Sequence, residues 1–98
     1  MKKLIILVAL TAASFTALGD QQTDLMVAGT GTACVAFYNG GEDPESAKEA
    51  ARVATDAVMR SDITRAQQEQ MTVAVANQFT SMTPQQVFAV CEDLITVY

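Results

Sequence analysis

The chain has 98 residues, enough for one domain, and carries eleven acids against six Lys and Arg, a formal net charge of −5. That balance argues against nucleic acid or an anionic membrane surface as a partner. Histidine is absent, which removes the commonest general base and leaves little for nucleophilic or acid–base catalysis.

Lys2 and Lys3 precede the unbroken apolar run Leu4 to Leu10, and small residues follow as far as Ala17-Leu18-Gly19. This layout predicts a secretory signal peptide over residues 1–19, cleaved before Asp20, with the mature chain in the periplasm or outside the cell. Leu4 to Leu18 is 15 residues, short of the roughly 20 that a membrane span needs. Residues 20–98 then form one helical domain with no membrane insertion. Lys48, Arg52, Arg60 and Arg65 stand there against all eleven acids, a side-chain balance of −7.

Leu25 to Tyr38 holds two interior glycines and a β-branched, aromatic end, so its helix propensity is modest. Even so, Val27, Gly31, Cys34 and Tyr38 fall at helical spacing with the cysteine inward. The Gly29-Thr30-Gly31 stretch lacks the preceding strand and following Lys-Ser/Thr of a phosphate loop, and it reads as a point of close helix packing. Asn39-Gly40-Gly41 reads as a helix C-cap, because a helix start follows it.

Asp43-Pro44 supplies that start, an N-cap followed by proline at the first helical position. Ala47, Ala50, Ala51, Ala54, Ala57 and Val58 make an apolar stripe, with Glu49–Arg52 and Asp56–Arg60 placed to pair on the other side. Ser61-Asp62 ends this second helix. Thr64 and Gln67 have the spacing of a capping box that opens a third, from about Arg65 to Thr80. Its Met71-to-Ala76 stretch is apolar nearly all round, which predicts either a central helix or one covered by a partner. Thr83-Pro84-Gln85-Gln86 starts a fourth helix with the stripe Val87, Phe88, Cys91, Leu94, Ile95 and Tyr98.

Cys34 and Cys91 are the two cysteines. Cys34 lies too far beyond the apolar run, with Gly31 at −3, to be a lipoprotein cysteine. Neither thiol has a base, Glu92 and Asp93 flank Cys91 unfavourably, and Cys-x-x-Cys spacing is absent. In an oxidising compartment the two predict one structural disulfide, joining the first helix to the last. Closing a loop of that length is worth about 4 kcal/mol by chain entropy. The expected fold is therefore all-α, a small four-helix domain braced by one disulfide.

Glu42, Asp43 and Glu45 lack the ligand spacing of a calcium loop and suit the positive end of a helix dipole, so neither metal nor cofactor is expected. From Ala66 to Tyr98 only three side chains are charged, all of them acidic. This low-charge stretch suggests a surface for a protein partner or for a homodimer, centred on Met71, Val73, Val75, Gln78, Phe79 and Met82.

Export, small size, acidity and the lack of reactive groups point to a non-catalytic binding factor. An inhibitor or immunity-type protein acting on a basic envelope enzyme, a lysozyme or other cell-wall hydrolase, fits best, since opposite charge speeds encounter. The plan is similar to that of the spackle proteins of T-even phages, small exported helical proteins that block a phage lysozyme; the likeness carries over no residues. Thr83-Pro84 and Val87 ahead of Cys91-Glu92-Asp93 also resemble the Thr-Pro segment before the second cysteine of HdeA-type acid-stress chaperones. That resemblance implies a periplasmic chaperone, although the residues after Cys91 lack that family's lysines. A small structural subunit of an envelope complex is the third reading.

Overall fold

The computed structural model describes residues 19–98, with side chains from Gln21 onward, so the signal peptide expected over residues 1–19 lies, Gly19 apart, outside the described residues. Four helices follow in chain order: α1 (Gly19–Gly40), α2 (Pro44–Ser61), α3 (Arg65–Phe79) and α4 (Pro84–Val97). No strand occurs among the described residues. The described residues are all-α, with the four helices and the disulfide expected of the domain.

α1 is the central helix. It starts well before Leu25 and runs unbroken through both interior glycines; its 22 residues span about 33 Å, a length comparable with the molecule's largest extent of 34 Å. Every residue from Asp24 to Gly31 is buried, and eight successive positions cover all sides of a helix. α2, α3 and α4 each pack against it.

Small residues make this possible. A Cβ on Gly29 would lie 2.1 Å from Met71 Cγ, and one on Gly31 would lie 3.0 Å from the Ala50 carbonyl oxygen. Gly29 thus seats α3 and Gly31 seats α2, each at a distance no side chain permits.

The third helix is therefore not the central one. α3 buries only Met71 and Val75, while Val73 is 59 % exposed. Being apolar all round did not place it inside, because α1, with its glycines, admits three neighbours and α3 needs only one. Leu25, Met26, Met71 and Leu94 are the largest fully buried side chains, each worth about 1.5–3 kcal/mol of transfer free energy.

α2 buries Ala47, Ala50, Val53, Ala54 and Ala57. Val53 takes the inward place expected for Ala51, which is exposed. Arg52 pairs with Glu49 and Asp56. Arg60, expected to pair with Asp56, instead reaches Asp24 on α1.

The turn between α1 and α2 is tighter than a glycine cap alone requires. Glu42 N–H bonds the Asn39 carbonyl and Asp43 N–H bonds the Tyr38 carbonyl, at 3.2 and 2.9 Å. That is a Schellman pattern, and its left-handed position falls on Glu42 (φ 59°) rather than on Gly40 or Gly41. Asp43 fixes this register: it closes α1 through its N–H while its carboxylate accepts the Ser46 N–H that opens α2. A comparable pattern ends α2, with Asp62 left-handed (φ 51°) and the buried Ile63 N–H on the Val58 carbonyl.

Thr64 with Gln67 and Thr83 with Gln86 form complete capping boxes. α4 buries Val87, Val90, Cys91 and Leu94. Phe88 and Tyr98, expected inward, are 49 % and 39 % exposed; Val90, a turn from both Val87 and Leu94, fills the core instead. α4 also touches α2, but it shares little contact with α3.

Candidate functional site

Cys34 and Cys91 are both fully buried and bonded, with Cα atoms 5.7 Å apart. The bridge is architecture rather than chemistry, since a buried disulfide flanked by acids presents no thiolate. It fixes α4 against α1 at one level, and the first polar consequence lies one turn further along α1 and one residue further along α4. Tyr38, four residues past Cys34, donates its hydroxyl to Glu92 Oε2 at 2.6 Å. Burial, the Glu92 hydrogen bond, the Glu92 charge and the nearby Asp43 charge all push the Tyr38 phenol above its usual value. It therefore stays protonated and serves as a donor.

Around this bond the molecule has an acidic, aromatic end. Phe37 and Phe88 pack edge-on against the Tyr38 ring, with centroids 5.6 and 6.5 Å from it. Glu42, Asp43 and Glu45 follow directly round the turn, all of them at least partly accessible. Three of the four cations in the described chain are already held by acids elsewhere, Arg52 by Glu49 and Asp56, Arg60 by Asp24, and Arg65 by Glu69. Glu42, Asp43, Glu45 and Glu92 gather at this end, with Lys48, one turn into α2, as the cation nearest to them in sequence.

A second feature is an open groove of about 570 Å³ where α1, α3 and the start of α4 diverge. Ala33, Ala36, Phe37, Ala76, Phe79, Met82 and Val87 line it. A neighbouring hollow of about 450 Å³, reaching Arg65 and Val73, shares Thr32 and Thr72 with it. Gln68 bridges the two helices at that point by donating to Thr32 Oγ1 at 3.0 Å.

The surface expected on the third helix is divided by the fold. Met71 and Val75 are sealed in the core at 1 % and 0 % exposure, against α1. Val73 is on the outside, Gln78 is half-buried, and Phe79 and Met82 are half-buried in the groove wall. The groove residues Ala33, Ala36 and Phe37 come from α1 and were not legible beforehand, since their helix carried no mark of an open side.

Asp24 was also missed. Its carboxylate is nearly enclosed and accepts two hydrogen bonds from Arg60, at 3.0 and 2.8 Å, and another from Ser61 Oγ. Burial alone would raise this carboxyl, but the Arg60 and Ser61 hydrogen bonds and the Arg60 charge outweigh it and hold Asp24 below its ordinary value. The only sequence signal was an acid abutting an apolar run. Among the described residues, no three Cys, Asp or Glu side chains converge on a point where a metal ion could sit. No described helix is long and apolar enough to cross a membrane.

Fold and bridge together define a disulfide-braced, acidic four-helix domain. Comparison with protein-family models, with curated proteins and with solved structures gives no match to any of them.

Proposed function

We propose that this chain is a non-catalytic, exported protein-binding factor, an inhibitor or immunity-type protein that acts on a basic envelope enzyme such as a lysozyme. The observation that carries the reading is the acidic end built around Tyr38 and Glu92. Glu42, Asp43, Glu45 and Glu92 offer carboxylates on a frame held by the disulfide, and the exposed Phe88 adds an apolar anchor beside them. Carboxylates around an aromatic ring suit Arg and Lys side chains, which pair with the first and stack on the second. Such a surface also speeds encounter with a basic protein.

The test is affinity capture from periplasmic extract with the purified protein, together with lysozyme activity in its presence. The expected result is capture of a basic hydrolase and loss of its activity, both weakened by salt. Recovery of no basic protein, with lysozyme fully active, would sink the reading.

A second reading, a periplasmic acid-stress chaperone, draws on the Asp24–Arg60 pair that holds α1 to α2. Acid would discharge Asp24 and loosen that seam, freeing apolar surface to hold unfolded clients. Suppression of client aggregation at about pH 2–3 is the expected sign. A protein that remains folded there and suppresses nothing is not such a chaperone.

A further inference from the structure

The groove along α1 and α3 has an electrostatic character of its own. From Gln70 to Cys91 the chain carries no ionisable side chain at all. That segment is most of α3, the turn after it and the first half of α4, so one wall of the groove and its lip toward α4 are uncharged. The other wall is supplied by Thr32, Ala33, Ala36 and Phe37. All ten acids and all four cations with described side chains lie outside that segment, a side-chain balance of −6 on the rest of the described chain.

This selects the occupant. A two-fold contact sets one face against the same face of a second copy, so charges near its axis meet their like. For a chain this acidic, faces bearing Glu42, Glu45 or Glu92 repel their own copies. The Gln70–Cys91 face is the one on which two copies meet with the fewest opposing carboxylates, Glu69 in the neighbouring hollow and Glu92 beyond Phe37 and Tyr38 lying at its borders. A basic partner, in contrast, gains no Coulomb attraction there and is drawn to the Tyr38 end. A domain of this size buries a small core, and covering a further apolar groove adds to it what the chain alone cannot supply.

We propose that this groove is the interface of a homodimer, in which the α3–α4 face of each copy covers the groove of the other. Ala76 lines the groove yet is exposed, so it belongs to the contact and not to the monomer core. The proposal does not rest on the inhibitor reading, which uses the charged surface beyond Phe37, the residue that borders both.

Sedimentation equilibrium of the purified protein from about 1 μM to 1 mM is the test, on the wild type, on Ala76→Glu and on Thr55→Glu, an exposed α2 position away from the groove. The expected result is a wild-type dimer that tightens with added salt, because screening reduces the repulsion between two acidic copies. Ala76→Glu should weaken it by at least about tenfold with an unchanged helical spectrum, and Thr55→Glu should leave it intact. A wild type that stays monomeric across the range overturns the proposal. So does an Ala76→Glu dimer as tight as wild type, or a variant that loses only the capture of a foreign protein, which would assign the groove to that protein. Salt separates the two readings, since it strengthens this contact and weakens binding of a basic enzyme.

Discussion

Asp24 on α1 and Arg60 in the last turn of α2 are joined across 36 positions of sequence by two hydrogen bonds to a single carboxylate oxygen. The Asp24 side chain is nearly enclosed while half of Arg60 remains in solvent. Because the folded chain holds the Asp24 carboxyl below its unfolded value, the pair contributes stability above about pH 4 that is lost as pH falls. Asp24→Asn should cost about 1–2 kcal/mol at pH 7, discounted for the exposed guanidinium. Urea unfolding at pH 7 and near pH 3 checks this: the gap between variant and wild type should narrow in acid. A gap that is constant with pH would mean the loss is packing alone.

The bridge sets the scale of stability. Cys34 and Cys91 are 57 positions apart, and removing the cross-link frees a loop worth about 4 kcal/mol in the chain-entropy account. A small domain has about 5 kcal/mol in total. A Cys34→Ala/Cys91→Ala variant should therefore melt more than about 15 °C below wild type or fail to fold at 37 °C. Thermal melts with and without reductant measure it, and an unchanged midpoint would contradict the structural role.

Gly29 and Gly31 lie where any side chain collides. At Gly29 the obstacle includes the Met71 backbone carbon at 2.9 Å, and at Gly31 the Ala50 carbonyl and the Ala54 Cβ at 3.0 and 2.9 Å. Alanine gains up to about 1 kcal/mol of helix propensity, but overpacking costs about 1–3 kcal/mol where backbone must move. Each Gly→Ala variant should be destabilised on balance in chemical denaturation. A stabilised Gly31→Ala would show that α1 and α2 separate more easily than their contact implies.

Thr30 is fully buried, and its Oγ1 has no hydrogen-bond partner. The neighbouring Thr32 donates to the Ala28 carbonyl at 2.8 Å, so the omission belongs to Thr30 alone. Thr30→Val keeps the shape and removes the unsatisfied hydroxyl, and it should stabilise the fold by about 1 kcal/mol. An upward shift in denaturation midpoint with unchanged slope is the expected reading.

Glu42 occupies a left-handed backbone position that costs a residue with a Cβ about 1 kcal/mol. Glu42→Gly should raise the melting temperature by several degrees. If Glu42 also contributes to the acidic end, the same variant should bind a basic partner more slowly, so that loss of function accompanies a gain in stability. Melting and association kinetics read the two effects separately.

Local signals carried most of the architecture. Asp43-Pro44, Thr64 with Gln67, and Thr83 with Gln86 start three helices by hydrogen bonds that close within one turn, so their sequence spacing is sufficient to place them. Spacing also put Val27, Gly31, Cys34 and Tyr38 on one face of α1, and two lone cysteines implied one bridge. The acidity of the chain is likewise a property of composition alone.

Which helix lies at the centre was decided only in three dimensions. α3 read as apolar nearly all round, whereas α1 read only as one inward face, Val27, Gly31, Cys34 and Tyr38. The outcome turned on how closely neighbours approach at Gly29 and Gly31, a distance that no periodicity encodes. The partner of Arg60 and the hydrogen bond from Tyr38 to Glu92 arose in the same way, from helices meeting across 36 and 54 positions of chain. So did the groove, which exists because α4 turns toward α2 and leaves α3 resting on α1. The GTGTAC stretch that looks locally like a place for reactivity is, once packed, the point on which the other three helices close. Capping and amphipathic pattern are one-turn physics and can be read along the chain, whereas the order of packing is a competition between surfaces and is settled only when all of them are present.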